Sequence, residues 1–180
     1  MSSLKDLYKK EIVPKLKEEI GCKNVMEVPK ISKVVLNVGA GRSITDAKIL
    51  EQVIEGLSRV TGQLPKKTKA KKSIAGFKLR EGMEIGAMVT LRGDRMFEFL
   101  ERLIGSALPR VRDFRGIPAT SFDGRGNYSF GMKEMSVFPE VSPEDIFAGY
   151  GLEISIITTA KKDEEAKALL THLGFPFKKI

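Results

Sequence analysis

Apolar positions along this chain recur with two different periods, and the changes of period mark out its elements. From the start, apolar residues fall at Leu4, Tyr8, Ile12, Leu16 and Ile20, a spacing that puts side chains on one helical face. Pro14 is expected to kink that helix or end it early. Over Lys30 to Val38 the period drops to two: Val34, Leu36 and Val38 make an apolar face while Lys33 and Asn37 fall on the other, which predicts a strand. After a turn at Gly39 to Arg42, Asp46 suits the cap of a helix carrying Ile49, Val53, Leu57 and Val60 on one stripe, with Gly62 as its stop. Glu84 to Arg92 reads as a second strand, with Ile85, Ala87, Val89 and Leu91 inward and Met88, Thr90 and Arg92 outward. Asp94 is placed to cap a helix whose stripe is Met96, Leu100, Leu103 and Ile104 and which stops near Pro109. Leu152 to Thr159 is a third strand, and Asp163 opens a last helix with Ala166, Leu169, Leu170 and Leu173 inward, ended by Gly174.

The intervening segments have a different texture. Lys66 to Ala70 can form a short strand, and Lys71 to Gly82 reads as a long loop hinged at Gly76 and Gly82. Pro109 to Lys133 mixes glycine, proline and small polar residues with Phe114, Phe122, Tyr128 and Phe130, and reads as a long loop or loose hairpin, a length that in compact domains usually carries function. Ser142-Pro143-Glu144-Asp145 has the composition of a short helix start. There is no internal repeat. A chain of 180 residues with 42% hydrophobic content can bury one good core. The expectation is one α+β domain over residues 1–180, an antiparallel or mixed sheet with helices on one face and the other face open, and long loops at 71–82 and 109–133.

Charge changes the picture at one place. The chain has 31 Lys+Arg against 23 Asp+Glu, a formal net charge of +8. Seven of the cations and none of the acids lie in Gln63 to Arg80: Lys66, Lys67, Lys69, Lys71, Lys72, Lys78 and Arg80. The rest of the chain is close to neutral. Such a density of one sign repels itself until an anionic partner neutralises it, and a phosphate backbone is the commonest such partner. Thr68, Ser73, Gly76 and Phe77 are interleaved with these cations, supplying hydroxyls, close backbone approach and a stacking ring. Lys33, Asn37, Thr90 and Arg92 on the outward faces of the two strands have matching chemistry, and the scarcity of aromatics there favours shape, sugar hydroxyls and phosphates over base stacking. That mode suits structured RNA better than DNA.

Other chemistries find little support. No apolar run approaches a membrane span, and the N-terminus has no signal-peptide core, so a cytoplasmic location is expected. With Cys22 the only cysteine and His172 the only histidine, neither an internal disulfide nor a Cys/His zinc site can form, and no metal or cofactor is expected. Cys22 beside Gly21 reads as a helix-end residue, and His172 as a capping or surface residue. Gly39-Ala40-Gly41 follows a strand, but Ile44 stands where a dinucleotide fingerprint needs glycine or alanine, so a tight turn is the better account. No carboxylate pair or nucleophile stands out. An RNA-processing enzyme using the same basic face is the alternative reading, and it lacks a reaction centre in the sequence.

The blocks KVVLNVGAG, VTGQLPKKTKAKKSIAGFKLREG and DFRGIPATSFDGRGNYSFGMKE together resemble the bacterial-type family of large-subunit ribosomal protein five, and the likeness runs from the first helix to the last. The family usually carries an aliphatic residue at the place of Lys66, so this strand edge is more basic here. The resemblance implies a fold related to RNA-binding α/β sandwiches and a non-enzymatic protein, monomeric when free, that binds 5S rRNA in the central protuberance. It implies contacts to 5S rRNA at Lys33, Asn37, Gln63, Thr68, Lys69, Thr90 and Arg92. Gln63 is singled out only by the resemblance. It further implies that a loop with Lys71, Lys72, Ser73, Phe77, Lys78 and Arg80 reaches toward P-site tRNA. The segment after Pro109 would contribute contacts to large-subunit rRNA and to a small-subunit head protein at the intersubunit bridge, with other 5S rRNA-binding ribosomal proteins as neighbours.

Overall fold

In a computed structural model, which describes residues 4–41, 47–142 and 144–178, the period-two segments become strands. They are β1 (Ile31–Gly39), β2 (Lys66–Lys69), β3 (Glu84–Leu91), β4 (Tyr128–Met132) and β5 (Leu152–Thr158). They form one antiparallel, five-stranded sheet in the order β2-β3-β1-β5-β4, so the fold is the expected α+β class. The chain divides into two compact units, one of Met1–Val34, Leu91–Phe130 and Ser155–Ile180, the other of Val35–Thr90 and Gly131–Ile154.

In the first unit, the opening helix does not end at Pro14. Leu4–Leu7, a π-helical turn at Tyr8–Ile12 and Val13–Ile20 follow one another, with the Val13 N–H bonded to the Tyr8 carbonyl five residues back. A proline has no N–H to offer the ladder and crowds the carbonyl four residues before it; a widened turn skips one rung and lets the helix run on. The same device recurs at Pro109. Gly93–Arg102 passes through a π-helical turn at Leu103–Ala107, the Leu108 N–H bonds the Leu103 carbonyl, and the helix ends at Arg110, near Pro109 as expected. Asp94 is not the cap of that helix: Arg92 holds the cap position without a side-chain bond, and the Asp94 carboxylate pairs with Lys5 of the opening helix. That hydrogen-bonded ammonium, with its charge, holds the Asp94 carboxyl below its ordinary value. Tyr8 and Phe97 join the same two helices, with ring centroids 5.6 Å apart. The buried stripe of Gly93–Arg102 includes Phe99, absent from the sequence reading, while Ile104 is only half-buried. Helix Asp163–His172 buries Ala166, Leu169 and Leu170, and Gly174 follows at a φ of 93°.

The segment after Pro109 is less of a loop than its composition suggests. Tyr128–Met132 is a strand with Tyr128, Phe130 and Met132 buried and Ser129 and Gly131 exposed. In the first unit the Ile117 N–H bonds the Pro176 carbonyl at 2.8 Å and the Lys178 N–H returns to the Ile117 carbonyl at 2.9 Å. Tyr128 lies at the centre of this region, its ring against Phe122, Phe130 and Phe177 and its hydroxyl donating to the Pro118 carbonyl at 2.8 Å.

In the second unit, helix Ala47–Thr61 buries Leu50, Val53, Leu57 and Val60, so Leu50 takes the leading place expected of Ile49. Gly62, with φ 66°, ends it. The expected cap Asp46 lies outside the described residues, as do Arg42 and Pro143. At Gly56 the helix meets the Phe147 ring so closely that a Cβ would sit 2.2 Å from Phe147 Cδ2. Arg59, one turn on, pairs with Glu55 at 2.6 Å and Asp145 at 3.6 Å and lies 5.9 Å from the centre of the Phe147 ring. Residues Ile146–Gly149 form a 3-10 turn where the sequence predicted a short helix.

Burial pushes the Tyr128 phenol up from its ordinary 10.0 to about 12. A raised folded value means that the stability it contributes is present below pH 10 and is lost as pH rises toward 12, by on the order of 2 kcal/mol. Tyr128→Phe should lower stability by about 1 kcal/mol at neutral pH through the lost bond to Pro118, yet show a shallower decline over that alkaline window. Urea unfolding at a series of pH values reads both effects, and parallel curves for the two proteins would refute the assignment.

Candidate nucleic-acid interface

A strand has two faces, and burial shows which one each residue occupies. In β1 the even positions Val34, Leu36 and Val38 are buried and Lys33, Val35 and Asn37 are half-buried, the division expected from the pattern. In β3 Ala87, Val89 and Leu91 are buried while Met88 and Thr90 stay half-buried, and Arg92 just beyond is exposed. In β5 Leu152, Ile154, Ile156 and Thr158 are buried, which leaves Glu153, Ser155 and Ile157 on the other side.

Within the second unit these outward groups are tied to one another. The Asn37 side-chain amide donates to the Glu153 carboxylate at 3.3 Å, which leaves the Asn37 carbonyl oxygen to accept from a ligand. The Gln63 amide donates to the Thr90 carbonyl at 3.3 Å, so the residue singled out only by resemblance is docked on β3 beside Thr90. Gln63 is set in place by Thr61, whose hydroxyl oxygen accepts from the Gln63 N–H at 3.3 Å. Strand β2 runs antiparallel to β3 with Lys66 opposite Met88, Lys67 opposite Ala87, Thr68 opposite Gly86 and Lys69 opposite Glu84 after an irregularity at Thr68/Lys69. Lys66 and Lys69 are exposed. Lys67 instead pairs with Glu84 at 2.7 Å, and that hydrogen bond raises its pKa. Within the first unit, the Arg92 guanidinium reaches back to the Ser32 carbonyl at 3.5 Å, next to Lys33.

The basic stretch beyond β2 folds back on itself. Ile74 and Leu79 exchange N–H···O bonds of 2.9 and 3.1 Å around a 3-10 turn at Ala75–Phe77. The left-handed residue that reverses the chain is Lys78, with φ 53°, and not Gly76; Gly82, with φ 85°, closes the other end. The Ser73 hydroxyl oxygen accepts from the Glu81 N–H at 2.9 Å and so braces the turn. Lys71, Lys72, Lys78 and Arg80 are all exposed, and the Phe77 ring at the tip is 71% exposed.

Two participants escaped the sequence reading. Glu153 is an acid on the outward side of β5, and its pairing with Asn37 sets it beside an expected contact residue. Gly86 is the other: a Cβ there would lie 2.6 Å from the Val38 carbonyl oxygen and 2.8 Å from Thr68 Oγ1. A lone glycine inside a strand pattern was the available signal for such a close approach. His172 lies elsewhere, with its Nε2 2.6 Å from Glu19 in the first unit, and Cys22 follows the left-handed Gly21 that ends the opening helix. Among the described residues no group of three or more His, Cys, Asp or Glu could hold a metal ion, and no helix is long and apolar enough to cross a membrane.

A five-stranded antiparallel sheet whose strands carry a buried apolar row and a partly exposed row with polar groups, followed after β2 by a basic hairpin, has the features of a binding protein. Residues 24–80 match the family model described as ribosomal protein L5, and residues 84–177 match the model for the C-terminus of the same ribosomal family. The proteins named large ribosomal subunit protein uL5 of Cupriavidus taiwanensis and Geobacter sulfurreducens are similar to this chain throughout. The first is 59% identical over 175 residues, 97% of each chain, and the second 58% over 178 residues, 99% of each. The uL5 protein of Francisella tularensis subsp. novicida is 57% identical over 178 residues, again 99% of each. The chain belongs to the ribosomal protein L5 family.

Gly86→Ala should cost about 1–3 kcal/mol, because the neighbour on one side is backbone and cannot turn away. Chemical denaturation would measure it, with faster amide exchange at Thr68 than in wild type as the local signature; an unchanged midpoint would mean that the β2/β3 spacing tolerates a side chain.

Proposed function

We propose that this chain is a structural, non-enzymatic protein of the large ribosomal subunit in the cytoplasm, and that it holds 5S rRNA on the polar side of its sheet. Lys33, Asn37, Gln63, Thr68, Lys69, Thr90 and Arg92 are the contacts. Family membership supports the ribosomal part of the reading. The observation that carries the RNA part is the consistent division of β1 and β3 into a buried apolar row and an outward row in which Lys33, Asn37 and Thr90 stand with Val35 and Met88, with Arg92 exposed just beyond β3. On such a surface lysine and arginine neutralise phosphates, while hydroxyl and amide groups read sugar and base edges. Glu153 fits an RNA ligand in one particular way: a carboxylate repels phosphate but accepts a hydrogen bond from a ribose 2′-hydroxyl, a group DNA lacks.

The hairpin has a separate role. Its cations, Lys71, Lys72, Lys78 and Arg80, surround an exposed ring at Phe77 on a tip braced by Ser73. Charge around a stacking ring suits a second RNA, and P-site tRNA is the ligand assigned to it. The protein thereby helps attach 5S rRNA to the large-subunit rRNA in the central protuberance. Its segment after Pro109 faces large-subunit rRNA and a small-subunit head protein.

Asn37→Ala or Thr90→Ala should weaken 5S rRNA binding by about 1–2 kcal/mol, roughly 5- to 30-fold in Kd, measured by filter binding to the isolated RNA. Wild-type affinity in both variants would remove the sheet face from the interface. Neutralising Lys71, Lys72 and Lys78 together should leave 5S affinity within a few-fold of wild type while slowing translation by ribosomes that carry the variant. A large loss of 5S affinity would reverse the division of labour between sheet and hairpin.

A further inference from the structure

Asp123–Gly124 is the one Asp–Gly junction in the chain, and no Asn–Gly occurs. Such a junction is chemically vulnerable. Glycine puts no side chain between its nitrogen and the preceding carboxyl group, so that nitrogen can close a cyclic imide on the carboxyl carbon. The junction lies in the first unit, with Asp123 and Gly124 both exposed, and water therefore reaches it.

The fold surrounds this junction with restraints. The Asp123 carboxylate accepts from the Arg125 N–H at 2.8 Å, the Asn127 N–H at 3.0 Å and the Asn127 side-chain amide at 2.7 Å. Both of its oxygens are engaged, which fixes the plane of the carboxyl group. The Asn127 side-chain amide, with the backbone N–H groups, also holds that carboxyl below its ordinary value and so keeps it ionised. On the other side of the peptide bond, Asp163 accepts from the Gly124 N–H at 3.1 Å and the Gly126 N–H at 2.9 Å. Beyond the junction the loop is anchored again. The Thr158 hydroxyl donates to the Gly126 carbonyl at 2.6 Å, and a Cβ at Gly126 would sit 2.8 Å from the Ala160 Cβ.

Each restraint opposes one requirement of ring closure. The Gly124 nitrogen loses its proton and forms a bond to Asp123 Cγ, while a protonated carboxyl gives up its oxygen as water. An ionised carboxylate is a poor electrophile, since oxide does not leave. Removing the Gly124 proton beside the Asp163 carboxylate would set one anion against another. The nitrogen must also turn toward Cγ, which breaks its bond to Asp163. Once formed, the imide takes water back. Addition at Cγ restores aspartate, and addition at the Asp123 main-chain carbonyl routes the chain through the side chain as isoaspartate. Water is lost and regained, so the change is an isomerisation that needs no oxidant or second substrate.

We propose that Asp123–Gly124 is a modification site, an isoaspartate-forming junction that Asp163 holds closed in the folded chain and that reacts when the loop comes away from Asp163. The proposal is independent of the RNA-binding reading. Wild-type protein, folded and in urea, is kept warm at mildly acidic pH, and isoaspartate at Asp123 is followed by chromatographic separation and mass spectrometry of its peptide. The unfolded chain should isomerise about tenfold faster or more, because the folded chain reacts only through local opening. Folded Asp163→Ala should gain roughly tenfold over folded wild type, the equivalent of two lost hydrogen bonds. Asp163→Asn, which keeps one acceptor oxygen, should fall between the two. Gly86→Ala, which strains the second unit, should keep the wild-type rate. Equal rates in folded and unfolded wild type would overturn the proposal. Wild-type or slower rates in both Asp163 variants would overturn it as well, the slower ones by making Asp163 a base for the reaction. An equal gain in Gly86→Ala would place the control in global unfolding and also refute it. If Asp163→Ala does not fold, Asp163→Asn and the urea comparison still decide the matter.

Discussion

The structure depends on the fact that a β-strand has only two faces and that one of them must leave water. Val34, Leu36 and Val38 in β1, Ala87, Val89 and Leu91 in β3, and Leu152, Ile154 and Ile156 in β5 are all buried, and full burial of a Val, Leu or Ile side chain is worth about 1.5–3 kcal/mol. No hydrogen bond on the opposite face competes with that sum. Once the apolar row is committed, register is fixed, because a slip of one residue would exchange the rows. Lys33, Asn37 and Thr90 therefore stand outward as a consequence of where their neighbours are buried.

The helices meet that demand despite sequences that interrupt them. Pro14 and Pro109 each come two residues after the end of a π-helical turn, at Tyr8–Ile12 and Leu103–Ala107. Terminating the first helix at its proline would break a buried face, since Leu16 lies beyond Pro14. A single skipped rung costs less than exposing that side chain, so the ladder changes period and the stripe stays covered. Glycines settle the remaining close approaches, Gly56 beneath the Phe147 ring and Gly86 between Val38 and Thr68.

Electrostatics then separates residues that looked alike in sequence. The cations of Gln63 to Arg80 form one block along the chain, but in the fold Lys67 is paired to Glu84, Lys66 and Lys69 are exposed on β2, and Lys71, Lys72, Lys78 and Arg80 belong to a hairpin closed by Ile74 and Leu79. Acids are likewise sorted by what they face: Asp123 and Asp163 stabilise a loop through its N–H groups, while Glu153 stands beside Asn37. The local charge available to a ligand is what remains after such pairings.

The sequence by itself determined β1, β3 and β5, the last helix and the outward positions of Lys33, Asn37, Thr90 and Arg92, because periodicity is a local property that burial enforces. Strand β4 was legible in principle, since Tyr128-Ser129-Phe130-Gly131-Met132 alternates, but the glycines and serines around it have the composition of a loop. Only the tertiary structure decided that Pro14 does not end its helix, that Asp94 pairs with Lys5 in place of capping, that Leu50 replaces Ile49 at the head of its stripe, and that Lys78 turns the hairpin. The same holds for Glu153 beside Asn37, for Gly86 beneath Thr68 and for Arg125 on a loop tied by Asp163. Each of these joins residues far apart in the chain or a choice between two locally acceptable conformations, and packing, which has no signature in any short window of sequence, makes that choice.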